Sequence, residues 1–289
     1  FADGNYLLAD AEKTYVIEKA AISLSLGQED YVYGEEAPAY TLTGNLGGGA
    51  ATARYYNDAY DAAAAPENAG YYRLTVTVAE TANYLGGYAS VTFTVKRAAA
   101  DFSVAIDGWT YGETPEAPVL TGEHGAVSYL YTGTANDGTE WNNSSAPVKA
   151  GTYTLTATDG GTQNREGGSA SANFTIERAR YAAPTLGETD QASAETVYGG
   201  ETDTLALTGF DPLVMGISGT DTAAGLIVDA EGNVFLFAPG VGEYTVTVFL
   251  KDTDNCEWLG AEGSAATAPL AYRWTVSEAE ESLVWLIAT

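Results

Sequence analysis

The sequence predicts an all-β protein built from three consecutive repeats, and two recurring patterns support this prediction. In the first pattern, a glycine is followed two residues later by a tyrosine, and apolar and polar residues then alternate. Such alternation is typical of a strand with one face in a core and the other in solvent. The second pattern is a short closing phrase that begins with an aromatic residue and returns after each copy of the first. The copies of the first pattern lie at residues 70–78, 151–157 and 242–248.

The closing phrases set the boundaries of the repeats. They end at Ala20, Ala98, Ala179 and Ala279, which are 78, 81 and 100 residues apart. A fixed internal period favours three small domains over the two that the length of 289 residues suggests. The predicted boundaries are 1–19 for the last strand of a truncated preceding repeat, 20–97 for repeat 1, 98–178 for repeat 2, 179–278 for repeat 3 with an insertion, and 279–289 for the start of a following repeat.

Within each repeat the predicted elements follow one order. Alternating segments at 21–26 and 101–106 predict opening strands. A Tyr-Gly pair then predicts a strand end that turns on glycine, with the tyrosine ring covering the edge of the core. Central strands are predicted at 53–56, 127–131 and 213–217, and the loops after them differ. The loop 58–68 is alanine-rich and compatible with a helical turn, the loop 134–146 is polar, and repeat 3 adds a hairpin at 226–237.

The junctions between repeats are short. None of them contains the Gly/Ser or Pro run of a flexible linker. The domains are therefore expected to follow each other stiffly, end to end.

The charge balance excludes two classes of partner. The chain has 39 acidic and 12 basic residues and a net charge of -27, spread through all three repeats. A nucleic-acid backbone or an anionic lipid surface would be repelled by this field. Cys256 is the single cysteine, so an intrachain disulfide and a cysteine-based metal cage are both excluded.

The two ends of the sequence indicate a piece of a longer protein. The chain opens on Phe1 without an initiator methionine, and no signal peptide is visible. The final apolar run at 283–288 is far shorter than the roughly 20 residues that a membrane helix needs. We interpret it as the first strand of another repeat, and we expect no membrane insertion by this fragment.

The first pattern resembles the corner that precedes strand F of immunoglobulin-like domains, where a tyrosine stands two residues before the antibody cysteine. Leu74, Leu155 and Val246 occupy the cysteine position here. Together with the Tyr-Gly pairs and the closing phrases, the sequence is similar to the tandem MBG-type and bacterial Ig-like repeats of cell-surface proteins from Gram-positive Firmicutes. It departs from them at Cys256, where a tyrosine is usual.

The resemblance implies tandem Ig-like β-sandwich domains arranged end to end, with β-grasp-like repeats as the alternative fold. It also implies export to the bacterial cell surface and a stalk or adhesin role. The residues that match the family are structural, and they are expected to fix the corner of each repeat: Gly70, Gly151, Gly242, Tyr72, Tyr153 and Tyr244.

No catalytic constellation is visible in the sequence. The single histidine, His124, lies in a turn signal, and the sequence lacks His-Glu-x-x-His, Gly-x-Ser-x-Gly and a phosphate-binding glycine loop followed by lysine. With 39 acidic residues, a pair of carboxylates at glycosidase spacing will occur by chance. The sequence therefore predicts that the chain is not an enzyme.

Aromatic residues in the variable strands and loops are the candidates for ligand binding. Tyr129, Tyr131 and Trp141 of repeat 2 could stack on sugar rings, as could Tyr55, Tyr56 and Tyr60 of repeat 1. Alternation places Tyr129 and Tyr131 on one side of their strand, and burial in the core is the simpler explanation for any single one of these rings.

Calcium is the one metal that the sequence suggests. Asp252, Asp254 and Asn255 place oxygen ligands on one loop, although the EF-hand pattern is absent and an acidic hairpin explains the same residues. No other cofactor is expected.

Two functions are therefore expected from the sequence. The first is a non-catalytic spacer segment of a cell-surface protein. The alternative is an adhesin module that binds a host glycan or protein through loops of repeat 2 or repeat 3. The chain is expected to be a monomer in either case.

Overall fold

A computed structural model describes residues 13–59, 62–63, 65–187, 193–198, 204–219, 225–228, 234–237 and 240–278. These residues form short β-strands and one 3-10 helix, and no α-helix occurs among them. The all-β prediction is confirmed. Tyr60, most of the predicted strand at 1–19 and the predicted start of a repeat at 279–289 lie outside the described residues.

The contacts divide the chain into two compact units. The first contains the described residues of Phe1–Ser103, Thr121–Val127 and Thr158–Ser169, which are repeat 1 and one end of repeat 2. The second contains those of Val104–Leu120, Ser128–Ala157 and Ala170–Thr289, which are the rest of repeat 2 and repeat 3. The boundaries predicted from the closing phrases stay a prediction, as does the end-to-end arrangement.

Repeat 1 consists of a large and a small sheet. Its strands are β1 (Ser25–Gly27), β2 (Tyr31–Val32), β3 (Thr41–Thr43), β4 (Ala51–Tyr56), β5 (Ala62–Ala63), β6 (Gly70–Val78) and β7 (Gly87–Lys96). The large sheet has the order β2-β7-β6-β4-β5, and β1 pairs with β3 in the small sheet. Leu26 and Leu42 of the small sheet pack against the buried cluster that contains Leu74 of the large sheet. The two sheets therefore enclose one core.

Repeat 2 has the same arrangement. Its strands are β8 (Ser103–Ala105), β9 (Trp109–Thr110), β10 (Val119–Thr121), β11 (Val127–Ala135), β12 (Glu140–Asn143), β13 (Gly151–Asp159) and β14 (Gly168–Glu177). The large sheet has the order β12-β11-β13-β14-β9, and β8 pairs with β10. Trp109 and Tyr153 both stack on Phe174, as Tyr31 and Tyr72 stack on Phe93 in repeat 1, but in repeat 2 these aromatic rings belong to the buried cluster itself.

Repeat 3 has two four-stranded sheets and one further strand pair. Its elements are β15 (Ala179–Tyr181), β16 (Thr185–Leu186), β17 (Ser193–Val197), β18 (Thr204–Thr208), β19 (Met215–Gly219), β20 (Gly225–Val228), β21 (Val234–Phe237), β22 (Gly242–Leu250), β23 (Cys256–Trp258), a 3-10 helix (Gly263–Ala266) and β24 (Leu270–Ser277). The sheets have the orders β16-β18-β21-β20 and β17-β24-β22-β19. Leu207 of the first packs in one buried cluster with Val246 and Trp274 of the second. The predicted hairpin is confirmed, since β20 pairs antiparallel with β21.

The recurring Gly-x-Tyr pattern forms a long strand in every repeat, as predicted. These strands are β6, β13 and β22, and β6 and β22 pair antiparallel with the closing strands β7 and β24. In β6, Leu74, Val76 and Val78 are buried, whereas Thr77 is exposed. The alternation in the sequence therefore identifies the buried face correctly.

Two local predictions needed correction, and a third is confirmed. The opening strands are shorter than predicted, at three residues each in β1 and β8. The described part of the loop 58–68 holds β5 in place of a helical turn, because Tyr55 and Tyr56 extend the sheet to Ala62 and Ala63. In repeats 1 and 2 the Tyr-Gly pair turns on glycine, with φ of 88° at Gly34 and at Gly112, whereas Gly199 of the third pair lies outside the described residues.

The strands before these turns also pair in parallel with a closing strand, which the sequence did not predict. β2 pairs in this way with β7, β9 with β14 and β17 with β24.

Candidate functional site

The tyrosine of the recurring pattern makes the same hydrogen bond in every repeat. Its hydroxyl donates to the backbone carbonyl four residues upstream, at 2.8 Å from Tyr72 to Asn68, 2.9 Å from Tyr153 to Lys149 and 2.7 Å from Tyr244 to Gly240. This bond ties the start of the long strand to the loop before it. We call this loop, bond and strand start the corner of a repeat.

The glycines of the three corners are not equivalent. A Cβ at Gly151 would meet the carbonyl oxygen of Thr134 at 2.5 Å, so a side chain there would force neighbouring backbone to move. At Gly70 the nearest atom to such a Cβ is 3.8 Å away, and at Gly242 it is 3.9 Å away. Only the glycine of repeat 2 is therefore required by close packing.

A second recurring contact joins the corner of one repeat to a loop of the next repeat in the chain. In the first unit, the loop before β14 carries Asn164, whose Oδ1 accepts the backbone N–H of Ala69 at 2.7 Å. The Nδ2 of Asn164 donates to Asn68 Oδ1 at 2.9 Å. The backbone of the same loop is paired as well, since Ala98 N–H donates to the carbonyl of Asn164 at 2.9 Å. We call this set of contacts the first joint.

The second joint repeats this arrangement in the second unit. Asn255 Oδ1 accepts the backbone N–H of Ala150 at 2.8 Å. The N–H of Ala179 donates to the carbonyl of Asn255 at 2.9 Å. Here the backbone pairing extends over three residues, because β15 runs parallel to β23. Both joints thus use the side-chain amide of an asparagine and the backbone N–H of a closing alanine.

Each joint also uses the basic residue that precedes the closing alanine. Arg97 Nη2 donates to the carbonyl of Arg165 at 2.6 Å, and Arg178 Nε donates to the carbonyl of Asp254 at 3.1 Å. The closing strands end at Lys96 and Glu177, so this arginine is the single residue between the strand and the paired alanine. The connection therefore has very little free chain.

Sequence reasoning missed the joints, although a signal was present. An asparagine recurs fifteen residues before the closing alanine at Asn83 and Asn164. The insertion in repeat 3 lengthens this spacing for Asn255, and the partners Ala69 and Ala150 carry no polar side chain that would mark them.

A buried carboxylate supports the loop of the first joint. Asp159 is buried and accepts the backbone N–H groups of His124, Gly125 and Gly161 at 2.8 to 3.1 Å. Burial alone would raise the pKa of Asp159, but the hydrogen bonds from Gly161, His124 and Gly125 together lower it below its ordinary value. The His124 ring lies 3.0 Å from Asp101 Oδ1, and this hydrogen bond lowers the pKa of Asp101.

The aromatic residues proposed as sugar platforms contact the core of repeat 2. Tyr131 is buried and meets Phe174 edge-on, with 6.2 Å between the ring centroids. Tyr129 and Trp141 are half-buried and pack against the same cluster, and Trp141 Nε1 donates to the carbonyl of Ser145 at 3.1 Å. A sugar that stacked on the Tyr131 ring would have to displace core contacts. In repeat 1, Tyr55 likewise meets Phe93 edge-on.

The side-chain oxygens of Asp252 and Asn255 in the proposed calcium loop accept hydrogen bonds within the protein. Asp252 Oδ1 accepts the N–H of Asn255 at 3.1 Å, and Asp252 Oδ2 accepts its side-chain Nδ2 at 2.8 Å. Asp254 contributes its carbonyl to Arg178 and to Asn136 Nδ2. In the part of the chain that the structure describes, no group of three or more His, Cys, Asp or Glu side chains could hold a metal ion. Calcium at Asp252, Asp254 and Asn255 stays an untested alternative to the acidic hairpin.

A cleft of about 470 Å³ lies beside the second joint, within the second unit. Repeat 2 contributes the aromatic and apolar lining, and Asp252 and Asn255 of repeat 3 complete it. Lys149 at its edge is 2.5 Å from Asp137. The hydrogen bond from Lys149 lowers the pKa of Asp137 to about 2, and the same bond raises the pKa of Lys149. The further lining residues are Trp109, Tyr111, Gly112, Glu113, Pro115, Pro147 and Val148.

No protein-family model matches this chain, and no curated protein matches it in sequence. Among solved structures it is similar to SGBP-B of the Bacteroides ovatus mixed-linkage glucan utilization locus in complex with a heptasaccharide, with 14% identity and a TM-score of 0.20 over 88% of this chain and 67% of that one. The N-terminal eight Ig domains of Down Syndrome Cell Adhesion Molecule give 13% identity and a TM-score of 0.27 over 90% and 34%.

A SusE-like surface located polysaccharide binding protein from the Bacteroides thetaiotaomicron heparin utilisation locus gives 12% identity and a TM-score of 0.21 over 89% of this chain and 61% of that one. Among the described residues, no helix has the length and apolarity needed to cross a membrane.

Proposed function

We propose that this chain is a non-catalytic spacer, a stiff stalk segment of an extracellular bacterial cell-surface protein. The observation that supports the proposal is the joint, which occurs twice with the same residue types in the same roles. Asn164 and Asn255 each bind the backbone N–H at the corner of the preceding repeat. A contact that recurs between successive repeats is better explained by a role in positioning the repeats than by the binding of a single ligand.

The joints are built to restrict motion. One arginine separates each closing strand from the paired alanine, and that arginine itself donates a hydrogen bond to the next loop. Bending at such a joint would break backbone hydrogen bonds, an amide contact and an arginine contact together. Flexible linkers have the opposite design, with several residues free of contacts.

The remaining proposals follow from composition. A net charge of -27 disfavours nucleic acid and anionic membranes as partners and keeps such a chain soluble as a monomer. A distal domain carried on the spacer would then make the contact with a host glycan or protein. Turnover of any polysaccharide by the purified chain would overturn the non-catalytic part of the proposal.

The stiffness can be tested by the distance between two spin labels. Labels at Thr77→Cys in β6 and Thr245→Cys in β22 occupy exposed strand positions in the two units. Cys256 is buried, and burial raises the pKa of its thiol, so it does not compete for the label. We expect a narrow distance distribution that broadens when Asn164→Ala and Asn255→Ala are combined.

The control for this experiment is Asn83→Ala, which changes the corresponding asparagine of repeat 1 and should leave the distribution unchanged. A broad distribution in the unsubstituted chain, or no broadening in the double variant, would contradict the spacer proposal.

The cleft beside the second joint supports a second candidate function, an adhesin that binds a host glycan or protein through repeats 2 and 3. It combines Trp109 and Tyr111 with charged and amide groups, which is the composition of many ligand sites. A glycan and mucin screen of the whole chain tests it. A signal that is lost in Val148→Arg, at the edge of the cleft, and kept in Val119→Arg, on the similarly exposed β10, would favour the adhesin. Silence across the screen would favour the spacer.

A further inference from the structure

Each joint pairs the corner of one repeat with the asparagine-bearing loop of the next. Among the described residues, one corner and one such loop are left without a counterpart. The corner half is a backbone N–H, supplied by Ala69 or Ala150, three residues before the corner tyrosine. The amide half is the asparagine of the loop. In repeat 3 the residue at the corner position is Val241, and in repeat 1 the loop asparagine is Asn83.

The corner of repeat 3 is formed in the same way as the two occupied corners. Tyr244 donates to the carbonyl of Gly240 at 2.7 Å, as the tyrosines of repeats 1 and 2 do at their own corners. Its surroundings differ, because Ala69 is 8% and Ala150 0% exposed, whereas Val241 is 48% exposed. The backbone N–H of Val241 has no hydrogen-bond partner in the described part of the chain. The same surface that is covered in two repeats is thus open in the third.

The loop of repeat 1 is likewise ready to make a joint. Its backbone is already paired with the closing alanine, since Ala20 N–H donates to the carbonyl of Asn83 at 2.9 Å. Lys19, the basic residue before that alanine, lies 3.2 Å from Glu80 of the loop. The side chain of Asn83 is exposed and has no hydrogen-bond partner among the described residues.

We propose that the corner at Val241 is a docking site for the asparagine-bearing loop of a further repeat of this type, joined covalently after Glu278, and that Asn83 docks on the corner of the preceding repeat, which joins repeat 1 at Lys19 and Ala20. The partner must offer a carboxamide oxygen to the Val241 N–H, as Asn164 and Asn255 do at the other two corners.

The loop that occupies the Val241 corner could belong to a repeat linked in the same chain or to a second copy in solution. The free energy of a single contact favours the linked repeat. One amide contact contributes too little to offset the loss of freedom on association of separate chains. A linker of one residue raises the effective concentration of the loop at the corner, so the same contact then forms. The occupant is therefore a linked repeat, and the chain alone stays monomeric.

The charge of Glu278, at the end of repeat 3, also restricts which loop can dock. Lys19, Arg97 and Arg178 precede the closing alanines of the first three phrases, but Glu278 takes this place in the fourth. The basic residues meet a carboxylate or carbonyls in their loops. Glu278 needs the opposite chemistry, so the docking loop should present a basic side chain or a free N–H to Glu278.

A chain extended by one repeat tests the proposal. A second copy of residues 98–178, which brings Asn164 and Arg165, is joined after Glu278, and amide hydrogen exchange is measured at Val241. We expect exchange at Val241 to slow by at least about tenfold relative to the unextended chain, toward the rates at Ala69 and Ala150. Asn164→Ala in the added copy alone should abolish the slowing, whereas Asn142→Ala, at an exposed position on β12 of the added copy, should not.

Two outcomes would overturn the docking site: unchanged exchange at Val241 in the extended chain, or slowing that survives Asn164→Ala. If the added copy fails to protect its own Leu155 amide, it has not folded, and an extension with residues 20–97 carrying Glu80→Lys, which brings Asn83 and a basic side chain opposite Glu278, gives the same readings. Self-association of the unextended chain that requires Asn83 would overturn the covalent requirement and indicate a second copy as the occupant. The site is independent of the spacer proposal, because an adhesin built from these repeats would use the same corner.

Discussion

The two joints use the same asparagine contact but differ in how much structure surrounds it. In the first joint, Asn164 is half-buried, and the closing alanine makes an isolated bridge to Arg165. In the second joint, Asn255 is buried, the bridge has grown into the strand pair of β15 and β23, and Tyr111 of repeat 2 packs against the core of repeat 3. The same type of asparagine contact therefore occurs in two interfaces that differ in burial. The more buried contact is expected to contribute more to stability.

The loops of the two joints are also supported by different acids. Asp252 accepts both the backbone and the side-chain N–H groups of Asn255 itself. In the first joint, Asp159 accepts backbone N–H groups of His124, Gly125 and Gly161, and none of these hydrogen bonds comes from Asn164. The second joint holds its asparagine directly, and the first holds the backbone around it.

The largest effect is expected from Asn255→Ala. The substitution removes the partner of the N–H of Ala150, a residue with no exposed surface, and an unsatisfied buried donor costs about 1–3 kcal/mol. We expect the unfolding midpoint in urea to fall and the Ala150 amide to exchange faster, while the Ala69 amide is unaffected. An unchanged midpoint together with a protected Ala150 amide would show that the joint does not depend on this side chain.

The second-largest effect is expected from acid, which should weaken the hydrogen bonds that Asp159 accepts beside the first joint. The pKa of Asp159 is lower in the folded chain than its ordinary value of 3.8, so its stabilisation is present above that value and is lost as the pH falls through the folded pKa. We expect Asp159→Asn to lower the urea midpoint at pH 7, and by less at an acidic pH below 3.8. The Asp101→Asn variant is the comparison, since Asp101 is exposed and its carboxylate is hydrogen-bonded to the His124 ring. Equal losses at both pH values would contradict the role of the carboxylate.

A smaller effect is expected from Asn164→Ala. The amide is half-buried, so water can replace part of the lost hydrogen bonding, and the cost should be about 0.5–1.5 kcal/mol. The sharper measurement is hydrogen exchange at Ala69, which should become faster while Ala150 stays protected. Asn83→Ala is the matched control and should change neither amide. A loss as large as that of Asn255→Ala would remove the proposed difference between the joints.

The smallest effect is expected from calcium. The side-chain oxygens of Asp252 and Asn255 already accept hydrogen bonds from the protein. We expect calcium and EDTA to leave the melting temperature unchanged within measurement error. A rise in calcium that is reversed by EDTA and absent in Asp254→Asn would instead establish a calcium site and make the second joint dependent on the ion.

Part of the fold could be predicted from local sequence patterns, but the joints could not. Alternation identified β6, β13 and β22 and the buried side chains of each, because a strand exposes successive residues to opposite faces. The hairpin of β20 and β21 followed from two apolar runs around a turn. The aromatic candidates were harder to place. Tyr131 lies on a strand in a variable region, and only the position of Phe174 reveals that its ring is buried.

The sequence alone determined the all-β class, the three copies of the corner strand and the glycine turns after the Tyr-Gly pairs, since each depends on residues close together in the chain. The tertiary structure alone decided the parallel pairing of β2 with β7 and the two joints. Asn164 meets Ala69 across 95 residues, and Asn255 meets Ala150 across 105. Contacts of this kind leave no local periodicity, because the acceptor is a side chain and the donor is a backbone N–H that every residue except proline carries.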